Sequence, residues 1–152
     1  MAYDPKHSDR LDALAERLRA ADAVTPDLMA QVLAQACPRL PLLNKNGKVA
    51  ARFTALLQAS AWTDLALALV EIELPGWSLR RLVCDGGEWF CSLSHQPALP
   101  AEFDDTADAM HPVLALAIAG SLLEAQRRTV LTREPVLEPP MSGHPVCCEN
   151  FA

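Results

Sequence analysis

Three groups of residues in this 152-residue chain carry side chains that do chemistry. His144, Cys147 and Cys148 lie close together near the C-terminus. Thiolate and imidazole suit zinc, but structural zinc sites use paired cysteine knuckles and four ligands, and no fourth is evident. The plainer reading is exposed side chains on an unstructured tail. His95, Glu102, Asp104, Asp105, Asp108 and His111 form a second group. Carboxylates and imidazoles serve acid–base steps or hold a divalent cation. The plainer and preferred reading is a solvated loop leading into the acidic first turn of a helix. The third group is Arg80 and Arg81, with Trp62, Trp77 and Trp89 around them. Arginine and tryptophan are enriched at the hot spots of protein interfaces. Their plainer reading is core tryptophans beside a solvated arginine pair. No nucleophile elbow, phosphate-binding loop or HExxH pattern is present, and no cofactor is implied.

Nucleic acid is a weaker partner. The net charge is −6, and neutralised phosphates supply most non-specific affinity. Basic residues outnumber acidic ones only in residues 1–60, eight to six; residues 61–128 hold four against ten. Two N-terminal helices joined by a short turn would pass for a helix-turn-helix, with Arg39, Lys45, Lys48 and Arg52 near phosphates. Yet Asp27 opens the second helix, where base contacts are made. An ordinary pair of core helices is the preferred reading. A DNA-associated regulator stays as the alternative function, with a small enzyme or metal-binding protein third.

The elements that would position these residues follow from pattern. Trp77–Ser94, WSLRRLVCDGGEWFCSLS, reads as a β-hairpin turning at Gly86-Gly87, since a two-residue type I′ turn needs positive φ at both central positions. That register sets Asp85 opposite Glu88, Cys84 opposite Trp89, Leu82 opposite Cys91 and Arg80 opposite Leu93. Leu82, Cys84, Trp89, Cys91 and Leu93 share the core face; Leu79, Arg81, Val83, Phe90, Ser92 and Ser94 share the other. Asp85 beside Glu88 is unfavourable unless a cation is near.

Helical spacing of apolar residues predicts helices over about 9–22, capped by Ser8, and 26–37, capped by Thr25 with Pro26 at its first position. A third is expected over 48–59. Residues 62–74 read mostly as helix, with Ser60 as a candidate cap; the alternation of Val70 to Leu74 leaves helix or strand open at its end. After a linker over 95–105, a helix is expected from Pro112 to Arg128. No polar side chain except Ser121 lies between Val113 and Leu123, so that helix has no wet face. Either the N-terminal helices cover the face of Ile118 and Leu122 or a second copy does; the homodimer is the preferred reading. Residues 129–152, with Pro135, Pro139, Pro140 and Pro145, are expected to be a disordered tail.

The expected class is α+β: three to four N-terminal helices, a central antiparallel hairpin with room for a third strand, and one long buried helix, forming a single domain over 8–128. Three segments, LPLLNKNGKVAARFTALL from Leu40 to Leu57, AWTDLALALVEIELPGW over 61–77 and LRRLVCDGGEWFCSLS over 79–94, together resemble a group of short uncharacterised bacterial proteins. The resemblance implies a compact bacterial domain and no activity. Five cysteines without a disulfide spacing, and an N-terminus without a signal-peptide pattern, point to a reducing cytoplasm. The longest apolar run is about half a membrane span. The function expected is a non-catalytic interaction or regulatory domain with a protein partner and no membrane.

Overall fold

A computed structural model describes residues 5–43, 45 and 47–132. The elements run α1 (Pro5–Ala20), α2 (Pro26–Ala36), α3 (Leu40–Leu43), α4 (Gly47–Gln58), α5 (Trp62–Glu73), β1 (Ser78–Asp85), β2 (Glu88–Ser94), β3 (Thr106–His111) and α6 (Leu114–Thr132). This is the expected α+β class. Among the described residues no helix is long and apolar enough to cross a membrane.

Leu11, Leu14 and Leu18 recur at helical spacing and put α1 into the core. Ser8 lies inside that helix, which starts at Pro5, so it is not the cap. Thr25 does cap α2: its hydroxyl accepts the Leu28 N–H at 3.1 Å, with Pro26 at the first turn. Cys37 ends α2 before Pro38. The chain then turns through α3, where the Glu73 carboxylate accepts the N–H groups of Arg39 (3.1 Å) and Leu40 (2.7 Å). Glu73 is buried, and this contact explains why a charged residue sits inside. The end of α5, open between helix and strand in the sequence, is helix. The alternation from Val70 to Leu74 is not a strand; α5 runs through to Glu73, with Leu65, Ala66, Ala68, Leu69 and Val70 buried. Ser60 does not cap α5 either. It takes a left-handed φ of 51° in the turn, and Ala61 occupies the cap position.

The sheet has the order β1-β2-β3, antiparallel throughout. Gly86 and Gly87 take φ of 59° and 84°, as the turn requires. Asp85 faces Glu88, Cys84 faces Trp89 and Leu82 faces Cys91, as expected. Beyond Leu82 the register shifts: Leu79, not Arg80, faces Leu93, and Arg80 is the extra residue of a bulge.

The third strand lies in the stretch expected as linker and acidic turn. Ala107 and Ala109 alternate there with Asp108 and Met110. Alanine and aspartate are poor strand formers, which hid it. The alanines are small for a reason: a Cβ on Gly120 of α6 would sit 2.9 Å from the Ala109 Cβ, so helix and strand are in close approach. Pro112 precedes α6, whose start is set by His111 Nδ1 accepting the Val113 N–H at 2.9 Å.

Ala115, Leu116, Ala117, Ile118, Ala119, Ser121, Leu122, Leu123 and Ala125 of α6 are all buried. The helix packs against β2 and β3 and also against α1, α2 and α5. Ile118 and Leu122 therefore face this chain's own core and cannot meet a second copy. Ser121 is satisfied by donating to the Cys91 and Ala117 carbonyls, at 2.9 and 3.2 Å. The tail expected over 129–152 yields its first four residues to α6; the rest lies outside the described residues.

Two substitutions test this architecture by thermal melting. Gly87→Val places a β-branched side chain at positive φ and is expected to cost about 1–3 kcal/mol; an unchanged melting temperature would put the turn elsewhere. Ile118→Asp is expected to unfold the chain, because it buries an unpaired carboxylate. If the Ile118→Asp chain stays folded and soluble, that position belongs to a surface instead.

Candidate functional site

The bulge at Arg80 governs the lower end of the sheet. Arg80 pairs with Asp104 and donates to the carbonyls of Pro97 (3.4 Å) and Leu99 (2.9 Å). Asp104 in turn accepts the Ser94 hydroxyl at 2.6 Å, and Ser94 Oγ accepts the Gln96 N–H at 2.9 Å. One arginine thus fastens the whole 95–105 linker to the sheet. Ser94 follows core-facing Leu93, so Asp104 meets it on the outer side of the sheet, while the ends of the linker, His95 and Asp105, reach Trp77 and Arg128. Arg80 is committed to these contacts and is not a free hot spot.

The other polar candidates are dispersed in the same way. His95 packs on Trp77, with ring centroids 3.8 Å apart, and its Nδ1 lies 3.0 Å from the Gly76 carbonyl. Trp77 is buried, so it contributes little to any outer surface. Asp105 pairs with Arg128, and Thr106 Oγ1 donates to Asp108 at 3.1 Å. His111 is buried beneath the start of α6. The candidate acid–base cluster is therefore not assembled. Among the described residues, no group of three or more His, Cys, Asp and Glu is placed to hold a metal. His144, Cys147 and Cys148 lie outside them.

The two buried thiols fit structural roles. Burial pushes the Cys37 thiol far up, with the Glu73 carboxylate adding to the effect. Burial also raises Cys91; Asp108 adds to this and the Ser121 hydrogen bond opposes it. Neutral buried thiols are poor nucleophiles and poor ligands. The helix pair α1–α2 is likewise committed to the core. Met29 and Val32 of α2 are buried, and Asp27 at its start accepts from Gln31 at 3.1 Å. Arg17 of α1 donates to Gln31 across the pair. Of the basic residues weighed for phosphate contact, Arg52 lies 3.5 Å from Glu71.

Two clefts invite comparison with an active site. A crevice of about 310 Å³ lies between α1, β3 and α6. Its arginines are committed: Arg127 pairs with Asp12 (2.7 Å) and Glu124 (3.1 Å), and Arg19 with Glu16. A wider groove of about 690 Å³ runs between α4, α5 and β1, lined by Leu56, Leu67, Val70, Trp77 and Leu79. Neither brings together a nucleophile, a base and an oxyanion donor.

The outer face of the sheet is different. The pairing sets Val83, Phe90 and Met110 in one row across the three strands. The next row is Arg81, Ser92 and Asp108, and the row toward the turn is Asp85 and Glu88. Met110 is 58 % exposed and Val83 and Phe90 are half-buried, so an apolar row meets solvent. The Arg81 guanidinium lies over the Phe90 ring, 5.9 Å from its centroid. Among the described residues, Arg81, Asp85 and Glu88 have no ion-pair partner within the chain. Of the residues expected at an interface, Arg81 is the one placed on this face. Trp89 is half-buried on the opposite face, level with Cys84 and His111. The strand alternation already set Val83 and Phe90 beside Arg81; Met110 escaped notice because β3 did. No family model, curated protein or solved structure matches this chain.

Glu73 gives the scaffold beneath this face a pH signature. Burial raises its pKa above the ordinary value, against the opposing pull of two N–H groups and the Arg39 charge. A carboxyl raised in the folded state holds its proton more tightly folded than unfolded. Its stabilising share is thus present at low pH and is lost as pH rises through the raised value. Glu73→Gln cannot ionise, so its melting temperature is expected to gain on the parent's between about pH 4 and pH 7. A gap constant across that range would refute the assignment.

Proposed function

We propose that this protein is a non-catalytic interaction domain whose docking surface is the outer face of its three-stranded sheet. The observation that carries this reading is the apolar row of half-buried Val83 and Phe90 with exposed Met110, bounded by the unpaired charges of Arg81 on one side and Asp85 and Glu88 on the other. Antiparallel sheets commonly leave one face to water, but such a face is polar. An apolar centre with a charged rim is the anatomy of a protein interface. The free thiols of Cys37, Cys84 and Cys91 support a reducing compartment, hence a cytoplasmic setting.

The face is tested by placing a photo-crosslinking amino acid at Met110 and, as a control, at exposed Ala34 on α2. A defined protein adduct is expected from position 110 and not from position 34, and Phe90→Asp should abolish it in a chain that still folds. Equal labelling from both positions would overturn this choice of surface.

A further inference from the structure

We infer that the partner seated on this face is a second copy of the same chain, with the two sheets stacked antiparallel about a two-fold axis that crosses the strands at Phe90. The inference rests on reading this face as the docking surface, and it adds the occupant and its register. Arg81 and Asp85 flank the Val83 row on the same strand. They are four residues apart, about 13 Å along the strand, too far to pair with each other. A two-fold axis through the Val83–Phe90–Met110 row exchanges their positions. Arg81 of each copy then lies over Asp85 of the other, twice per dimer.

Glu88 stands beside Asp85 across the hairpin, so each incoming guanidinium meets two carboxylates. The cation that this like-charged pair lacks within the chain is supplied by the second copy. The apolar row meets itself: Phe90 on Phe90, Val83 on Val83, Met110 on Met110. Self-complementarity of this kind is what an isologous interface demands.

The linker decides between the two ways of stacking. Its Asp104 meets the outer side at the Ser94 end, beyond the Arg81 row. The antiparallel stack lays each linker past the other copy's Gly86-Gly87 turn, and the sheets can close to the usual ~10 Å. The parallel stack would set linker on linker and Glu88 on Glu88, holding the sheets apart.

The test is sedimentation equilibrium on the full chain, with folding checked by melting. The parent should dimerise at micromolar concentration, and less tightly as salt screens the ion pairs. Arg81→Glu and Asp85→Arg should each weaken the dimer about tenfold or more, because each sets like charges face to face. Mixing the two variants should restore it, since positions 81 and 85 of one chain are then both acidic and those of the other both basic, so every 81–85 contact joins opposite charges. Glu88→Arg replaces Asp85→Arg if the latter disturbs the hairpin. A parent monomeric to about 100 μM, variants that remain dimers, or a mixture that stays monomeric would each overturn the inference. A monomeric parent whose residue 110 still crosslinks to another protein would overturn the occupant alone. Loss of that specific crosslink would overturn the surface itself.

Discussion

The constraint on which the rest of the structure depends is that α6 has no wet face. From Val113 to Leu123 its only polar side chain is Ser121, so every side of that stretch needs cover. A sheet covers one side only. The remaining sides are taken by α1, α5 and α2, whose apolar stripes have nowhere else to go. On the sheet side, Gly120 and Ala109 let helix and strand approach closely. Where a single polar group is unavoidable, Ser121 turns its hydroxyl onto carbonyls. Gln126 does likewise for the Ala36 carbonyl at the end of α2, at 3.0 Å. Unmet, such groups would each cost about 1–3 kcal/mol.

The same logic governs the polar residues that looked chemical. Asp104 is buried and Arg80 largely so, a pairing that is unstable unless both are fully bonded. They are: the guanidinium meets a carboxylate and two carbonyls, and the carboxylate adds a hydroxyl. Glu73 holds two N–H groups at the head of α3 in the same manner. These groups are hydrogen-bonded within the chain. Arg81, Asp85 and Glu88 on the outer sheet face have no ion-pair partner among the described residues. That contrast, rather than any motif, separates the surface from the scaffold.

Much of this was legible in the sequence. The hairpin, its glycine turn and its upper register follow from two positive-φ positions and alternation. The Thr25-Pro26 start of α2 follows from capping chemistry. The class and the buried helix follow from apolar spacing. The rest was not legible because it depends on neighbours. β3 is a strand because α6 needs small residues opposite Gly120, a demand invisible in TADAMH itself. The bulge at Arg80 exists because Asp104 and two carbonyls draw that side chain aside, and they lie 17 to 24 residues away. The alternation at Val70 to Leu74 leaves helix and strand open because Glu73, a charge at a core position, imitates the polar half of a strand. What covers Ile118 and Leu122 is not legible in the sequence, because the number of helices able to reach α6 cannot be read from spacing.

An apolar row that meets solvent on an edge-bounded sheet is a hazard as well as a surface. Both β1 and β3 are edge strands, and such edges invite pairing with other chains. The chain limits this with the bulge in β1, and with charge: Arg81 on β1 and Asp108 on β3 stand at opposite borders of the face. Charges of opposite sign at fixed positions admit few alignments, whereas an apolar row alone admits many. Arg81 further shields Phe90 by lying over its ring, a contact that contributes about 0.5–1 kcal/mol at an exposed site. A partner that offers carboxylates must outcompete that contact, and one offering only apolar groups gains nothing by displacing it. On the proposed docking reading, the face selects for an acidic rim around an apolar centre, and the row of Asp85 and Glu88 beside Phe90 on this same chain supplies one.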